Sequence, residues 1–322
     1  WRPPRTITRQ NGKIHRLRRG GFPLPHLRRR DGRHMRIQGP VLPAELRREA
    51  DMEEAVRRAL REEDDVRGCL FSGGALTQTA PDDWNGTMEF RECVFENWRF
   101  SGCSMPRLGF VDAVFRGCDL SNLDLTGCSL LRCRFEDCKA VGLTLAEAKL
   151  RQVTFEQCGM RLANLSGCQC KGAGFFRCDL EGASMLGCAL GKAPFDRCRL
   201  LDCNLCGTVL SGIDFTTCDI GGWLLGGGEL RGAVVTPFQA AELARAEEAR
   251  LLVLDEVCAA VNTGLLPLED VLDCLDSLSC EVVLTGRDPA PELRDRADYL
   301  TEMRKVRHPF DRGVCARTGI ER

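Results

Sequence analysis

Every fifth residue from Phe90 is apolar: Phe90, Phe95, Phe100, Met105, Phe110, Phe115, Leu120, Leu125, Leu130, Phe135, and so on in step to Val235. All thirty positions of this series are apolar or Cys, without insertion or deletion. Two residues ahead of each lies a second series of mostly small side chains, among them Cys93, Cys103, Ala113, Cys118 and Cys128. The residues between are charged, polar or Gly. Neither the 3.6-residue period of a helix nor the 2.0-residue period of a strand produces this pattern. A five-residue period does.

A second period lies on top of the first. Every twentieth residue gives one column of Phe95, Phe115, Phe135, Phe155, Phe175, Phe195 and Phe215, and another of Cys118, Cys138, Cys158, Cys178, Cys198 and Cys218. Four pentads therefore close one turn of a four-sided coil, and like residues stack above like. Successive turns should pair as β-bridges about 4.8 Å apart, so that thirty pentads make seven and a half turns over about 36 Å. Gly recurs two residues after the pentad centre, as at Gly102, Gly142 and Gly182, where corners need backbone freedom. Trp98 and Trp223 fall in small-residue slots near the two ends, where space should open.

The flanks read differently. Residues 43–65 place Ala44, Leu46, Met52, Ala55, Val56, Ala59 and Leu60 among Glu and Arg, the pattern of an amphipathic helix that would cap the coil. Residues 35–87 are thus cap and lead-in. Past Val235, Thr236 and Pro237 open a helix or linker through about Arg250. An apolar strand over 251–254 then ends in Asp255 and Glu256, and a helix carries Leu268, Val271, Leu272 and Leu275. A second strand over 281–287, a helix near 291–297 and a third strand near 299–306 complete a βαβαβ order, hence a partial α/β segment with a parallel sheet.

Charge and cysteine narrow the chemistry. The 322 residues carry a net charge of −1, but residues 1–34 hold ten Arg and one Lys against Asp31 alone. That Pro- and Arg-rich stretch has no apolar period and should be unstructured, either a basic tail or a non-native leader before Met35. No run of 18 apolar residues exists, which leaves no membrane-spanning candidate. The 20 cysteines are mostly 5, 10, 15 or 20 apart, whereas paired metal ligands want two or three intervening residues, and residues 88–235 contain no His to serve a catalytic thiol. Cys here reads as a small filler of a narrow lumen, and so many free thiols favour a reducing cytoplasm.

Cys118-Asp119-Leu120-Ser121-Asn122 and Cys178-Asp179-Leu180-Glu181-Gly182 resemble the pentapeptide-repeat family over about residues 88–235. The resemblance implies a mainly β fold, a right-handed quadrilateral β-helix whose surface meets a protein partner. Some family members mimic DNA and protect DNA gyrase through a strongly acidic surface. Residues 88–235 hold 17 acidic and 16 basic residues, a balance that argues against that role and against nucleic acid as a partner.

The stretches LLVLDEVCAAVNTGLLPLEDV, VVLTGRDPAPELRDRADYLTEM and VRHPFDRGVCARTGIE resemble the C-terminal half of the ATP:corrinoid adenosyltransferases, a P-loop family. The resemblance implies Mg²⁺ on Asp255 and Glu256, Mg-ATP along Thr285, Gly286 and Arg287, a corrinoid acceptor, and closure by the tail 307–321. The phosphate loop G-x-x-x-x-G-K-[ST] is absent from the sequence. Activity would then require another chain to supply that half; the alternative is a repeat protein that binds a partner without catalysis.

Overall fold

The computed structural model describes residues 14–16, 37–76, 88–246 and 251–302. The chain divides into two units, Trp1–Glu247 and Glu248–Arg322.

The first unit is a parallel β-solenoid of about eight turns. One face is a parallel ladder through Cys69–Ser72, Val94–Glu96, Val114–Arg116, Arg134–Glu136, Thr154–Glu156, Gly174–Phe176 and Phe195–Asp196. A second face runs from Val66–Arg67 through Glu89–Arg91 and Gly109–Val111 to Gln169–Lys171. The remaining two faces are held mostly by single bridges, such as Asp119 with Lys139 and Asp124 with Thr144, and one of them ends in a parallel pair, Arg199–Leu201 with Asp219–Gly221. Partners sit twenty residues apart, as Phe115 with Phe135 and Phe135 with Phe155, so the twenty-residue period is the turn itself.

Inside, the Phe column forms one file of rings. Phe115 and Phe135 lie 4.6 Å apart at 4°, and Phe135 and Phe155 lie 4.7 Å apart at 13°. The file runs to Phe215, where Trp223 closes it edge-on at 5.2 Å. At the corners the backbone is left-handed whatever the residue: Gly182 has φ +67°, and Asn97 and Leu162 have +50° and +56°. Gly142 has a second reason to be Gly, because a Cβ there would lie 2.4 Å from Asn122 Oδ1 of the turn before.

The coil starts earlier than the pattern from Phe90 suggests. Val66, Phe71 and Leu76 already keep the five-residue step, and Phe71 stacks on Phe95 at 5.2 Å. Phe71 pairs with Phe95 across 24 positions rather than 20. Four extra residues between Leu76 and Met88 break the register and hide this turn from a strict periodicity. Trp98 fits beside Phe71 because position 74 is Gly, where a Cβ would come within 2.3 Å of the indole.

The N-terminal cap also differs from expectation. The helix, α1, covers only Met52–Glu62, with Asp51 Oδ1 accepting from Glu54 N at 3.0 Å as its N-cap. Ahead of it, Glu45–Glu49 is a strand that pairs parallel to Cys69–Ser72, so residues 45–49 are not helical. The open edge of the first turn supplies unpaired N–H and C=O groups, and satisfying them outweighs the helical pattern. Met52, Ala55, Val56 and Ala59 are buried against the solenoid core.

The basic N-terminal stretch is not wholly without structure: Ile14–Arg16 pairs antiparallel with Glu45–Glu49, and the rest of residues 1–36 lies outside the described residues. Residues 37–42 then lie along the solenoid wall. Gln38 N donates to Gln152 Oε1 at 2.6 Å, and Val41 N donates to Asp112 Oδ1 at 2.8 Å. Four residues of chain, 38–41, thus bridge two turns. Ile37, buried, packs above Gly174, where a Cβ would lie 2.9 Å from Ile37 Cδ1.

At the far end, helix α2 spans Pro237–Ala246. Thr236 and Gln239 form a reciprocal cap, with Gln239 N donating to Thr236 Oγ1 at 3.2 Å and Thr236 N donating to Gln239 Oε1 at 2.8 Å.

The second unit holds two parallel strands in register, Leu251–Leu254 and Glu281–Leu284. Three helices accompany them: α3 (Val257–Asn262), α4 (Leu268–Asp276) and α5 (Pro291–Arg296). Their core is Val257, Cys258, Val271 and Leu293, with Leu254 and Leu284 packed against it. The short α3 is absent from the periodicity because six residues make fewer than two turns. No strand forms over 299–302, the described part of the expected third strand; residues 303–306 lie outside the described residues.

Candidate functional site

The solenoid lumen offers thiols in quantity but no reactive constellation. Cys118, Cys138, Cys158, Cys178, Cys198 and Cys218 are all buried and free. Their Sγ–H groups mostly donate to carbonyls of the turn before, as Cys118 to Phe95 O at 3.3 Å and Cys178 to Phe155 O at 3.4 Å. Burial pushes Cys128, Cys133 and Cys203 up to about 12, which leaves them protonated and unreactive near neutrality. Cys69 and Cys118 are exceptions, each shifted down chiefly by the thiol that bonds to it, Cys93 and Cys138, with Arg47 at 3.5 Å adding to the effect on Cys69, but both are buried. Among the described residues no group of three or more His, Cys, Asp or Glu side chains is arranged to hold a metal.

On the outer wall, the charged residues pair up the axis. Arg116 reaches Glu96 at 3.0 Å on one turn and Glu136 at 2.9 Å on the next. Arg132 makes two bonds of 2.6 Å to Asp112, and Arg134 meets Glu156 at 2.9 Å. The balance of acid and base in the sequence is thus a set of local contacts, and these carboxylates do not form a field of free negative charge.

The sequence-predicted site residues of the second unit do come together. Asp255 follows the first strand, and Thr285 follows its parallel neighbour, so both sit at the C-terminal end of the sheet, where α/β sheets place ligands. Thr285 Oγ1 donates to Asp255 Oδ1 and accepts from Glu256 N at 2.8 Å. Thr285 N in turn donates to Leu254 O at 3.1 Å. One hydroxyl therefore orients the Asp255 carboxylate and fixes the start of the turn that follows it. Glu256 takes φ +56° and ψ +19° and has no side-chain cap bond, so its exposed carboxylate stands free of the helix it precedes. Backbone in this sparsely populated region costs about 1–3 kcal/mol and persists only where surrounding structure imposes it.

Gly286 and Asn262 hold the other wall. Gly286 has φ +133°, and a Cβ there would lie 2.7 Å from Cys258 Cβ and 3.1 Å from Cys258 N. Only Gly lets the strand end approach α3 so closely, with Cys258 N donating to Thr285 O at 3.2 Å. Asn262 Nδ2 donates to Arg287 O at 3.1 Å and Asp288 O at 2.8 Å, which pins the loop that carries Arg287. Asn262 carries no signal in the sequence, because a side chain that bonds backbone 25 residues away leaves no local pattern. The tail 307–321, expected to close the site, lies outside the described residues.

The donor set suits Mg²⁺. That ion keeps several waters and takes one or two carboxylates together with phosphate oxygens, and Asp255 and Glu256 are adjacent, exposed carboxylates on an irregular turn.

Comparison with known proteins supports both readings of the sequence. Residues 233–322 match the model for ATP:corrinoid adenosyltransferase BtuR/CobO/CobP. Residues 108–185 match a pentapeptide repeat region, and residues 173–212 match pentapeptide repeats in eight copies. Corrinoid adenosyltransferase CobA of Salmonella typhimurium is 40% identical over 73 residues, which cover 22% of this chain and 37% of that protein. A corrinoid adenosyltransferase of Pseudomonas aeruginosa is 38% identical over 84 residues, 26% of this chain and 41% of that protein. The chain thus spans about two fifths of the length of these curated relatives. Among solved structures, HetL, a pentapeptide repeat protein from a Nostoc cyanobacterium, is 18% identical over 56% of this chain and 95% of its own, with a TM-score of 0.22. QnrB1, a plasmid-mediated fluoroquinolone resistance protein, is 21% identical over 50% and 91%, with a TM-score of 0.14.

Proposed function

We propose that this chain is a pentapeptide-repeat scaffold bearing the carboxylate half of a Mg-ATP:corrinoid adenosyltransferase-like site, and that this half does not turn over alone. The observation that carries the reading is the bonded pair Asp255–Thr285, set at the ends of adjacent parallel strands within the segment that matches the adenosyltransferases.

The reaction class is transfer of the 5′-deoxyadenosyl group: the Co(I) nucleophile of a reduced corrinoid attacks the ribose 5′-carbon of ATP, and triphosphate leaves with the bonding pair. Mg²⁺, when bound, neutralises charge on the departing triphosphate. Asp255 and Glu256 would hold that ion. Thr285 keeps Asp255 in a single orientation, so its ligating oxygen is in place before the nucleotide arrives. Gly286 brings the second strand end against α3, and Asn262 fixes the loop from which Arg287 can reach a phosphate oxygen. A backbone N–H cradle for the triphosphate is what a phosphate loop would add, and the sequence contains none.

Titration calorimetry of the full chain with ATP tests this reading. The expected result is weak binding that requires Mg²⁺ and is lost in Asp255→Asn, with no adenosylation of reduced corrinoid by the chain alone. Absence of Mg-dependent ATP binding at millimolar nucleotide would remove the site, and turnover by the isolated chain would remove its incompleteness.

A further inference from the structure

The two strands of the second unit are covered on one side only. Leu254 and Leu284 pack on the helical core, whereas Leu251, Val253 and Val283 on the opposite side are 53%, 52% and 44% exposed. Parallel sheets are ordinarily buried on both faces, which is why their strands are apolar throughout. Among the described residues no third strand joins this pair, so each strand has an edge of N–H and C=O groups with no partner strand among those residues.

We propose that this face and its edges bind a separate polypeptide, the part of an adenosyltransferase-like domain that the present chain leaves out. That polypeptide would add parallel strands beside 251–254 and 281–284 and lay a helix over Leu251, Val253 and Val283. The inference rests on the adenosyltransferase reading of residues 233–322 and deepens it by locating the partner. Two observations select this occupant. The matched stretch covers only 37% and 41% of the two relatives, which leaves 63% and 59% of their lengths to build the rest of the domain. The bare surface is also of the kind that such a remainder would cover: Leu251, Val253 and Val283 alternate with core residues along strands that are parallel and in register. A second copy of this chain brings the same two strands and the same missing cover, so self-association would leave strand edges open.

The test co-expresses the full chain with the portion of the Salmonella typhimurium relative that lies outside its matched 73 residues. Size-exclusion chromatography with light scattering then reads the assembly. The expected result is a soluble 1:1 complex, weakened at least about tenfold by Val253→Lys combined with Val283→Lys. Both positions are solvent-exposed, so circular dichroism of the variant should match the parent, and Leu251→Lys serves as a second, independent probe. Asp255→Asn should leave the complex intact. Recovery of the fragment only in the insoluble fraction, a complex indifferent to all three lysines, or a homodimer of this chain abolished by them would each overturn the proposal. A complex that forms without any Mg-dependent ATP binding upholds the docking surface and sinks the nucleotide reading. Mg-ATP binding with no complex does the reverse.

Discussion

The solenoid and the C-terminal unit are built from the same kind of apolar strand, but they dispose of it differently. Phe135 lies between Phe115 and Phe155 at ring distances of 4.6 and 4.7 Å and is 1% exposed. Val253, in a strand just as apolar, is half exposed. Each turn of a solenoid needs only the turns above and below it, so one stretch of chain can complete itself by repetition. A parallel sheet between helices needs strands and layers from distant sequence. On the reading proposed above, part of such a fold by itself leaves Leu251, Val253 and Val283 exposed. Autonomy here follows from contact range, not from hydrophobicity.

The largest effect that separates the two regions should be alkaline. Burial raises Cys128, Cys133 and Cys203 to about 12, whereas in the unfolded chain such thiols ionise near 8.5. Below pH 8.5 both states are protonated and this stability is fully present. As pH rises from there toward 12 only the unfolded chain gives up these protons, so the stability is lost. Three such thiols remove about 4 kcal/mol per pH step, from about 1.4 each. Urea midpoints of the full chain at pH 7.5 and 10, followed by near-ultraviolet circular dichroism of Trp98 and Trp223, measure it. A midpoint unchanged at pH 10 would show that these thiols ionise while folded.

Phe135→Ala comes next, at about 3–5 kcal/mol, because adjacent turns hold the rings too rigidly to fill the gap. A smaller urea shift would mean that the file of rings slides to close. Gln239→Ala should cost about 1–3 kcal/mol. Its amide donates to Phe215 O at 3.0 Å and Cys218 O at 2.8 Å, and both carbonyls would lose a buried partner. Hydrogen exchange should then show fraying of the last turn first. Val253→Lys is expected to stay within about 0.5 kcal/mol of the parent, as an exposed position should. A larger loss would show the sheet face to be covered in the free chain.

Helix α2 sharpens the contrast further. By sequence it lies within residues 233–322, the stretch that matches the adenosyltransferases. By contacts it belongs to the solenoid: Leu243 joins the lumen core, Ala241 is fully buried and Gln239 caps two open carbonyls. The last turn of a coil presents apolar slots and orphan acceptors, and the nearest amphipathic helix satisfies them, whatever its ancestry.

Much of the molecule was legible without coordinates. The five- and twenty-residue periods dictated the coil, its lumen residues and its corners, because a repeat forces each side chain into the environment of its equivalents. Asp255 was legible as the residue that ends an apolar run, whereas the second strand, expected over 281–287, stops at Leu284 and leaves Thr285 just beyond it. What only the tertiary structure decided is everything that depends on an end or a long reach: the early turn at Val66–Leu76 behind four extra residues, the strand at Glu45–Glu49, the wall segment anchored on Asp112 and Gln152, the pinning of Arg287 by Asn262, and the uncovered sheet face. Periodicity reports which residues are equivalent. Where equivalence stops, unpaired backbone groups and exposed apolar surface choose their partners by proximity in space, and a linear pattern does not encode that choice.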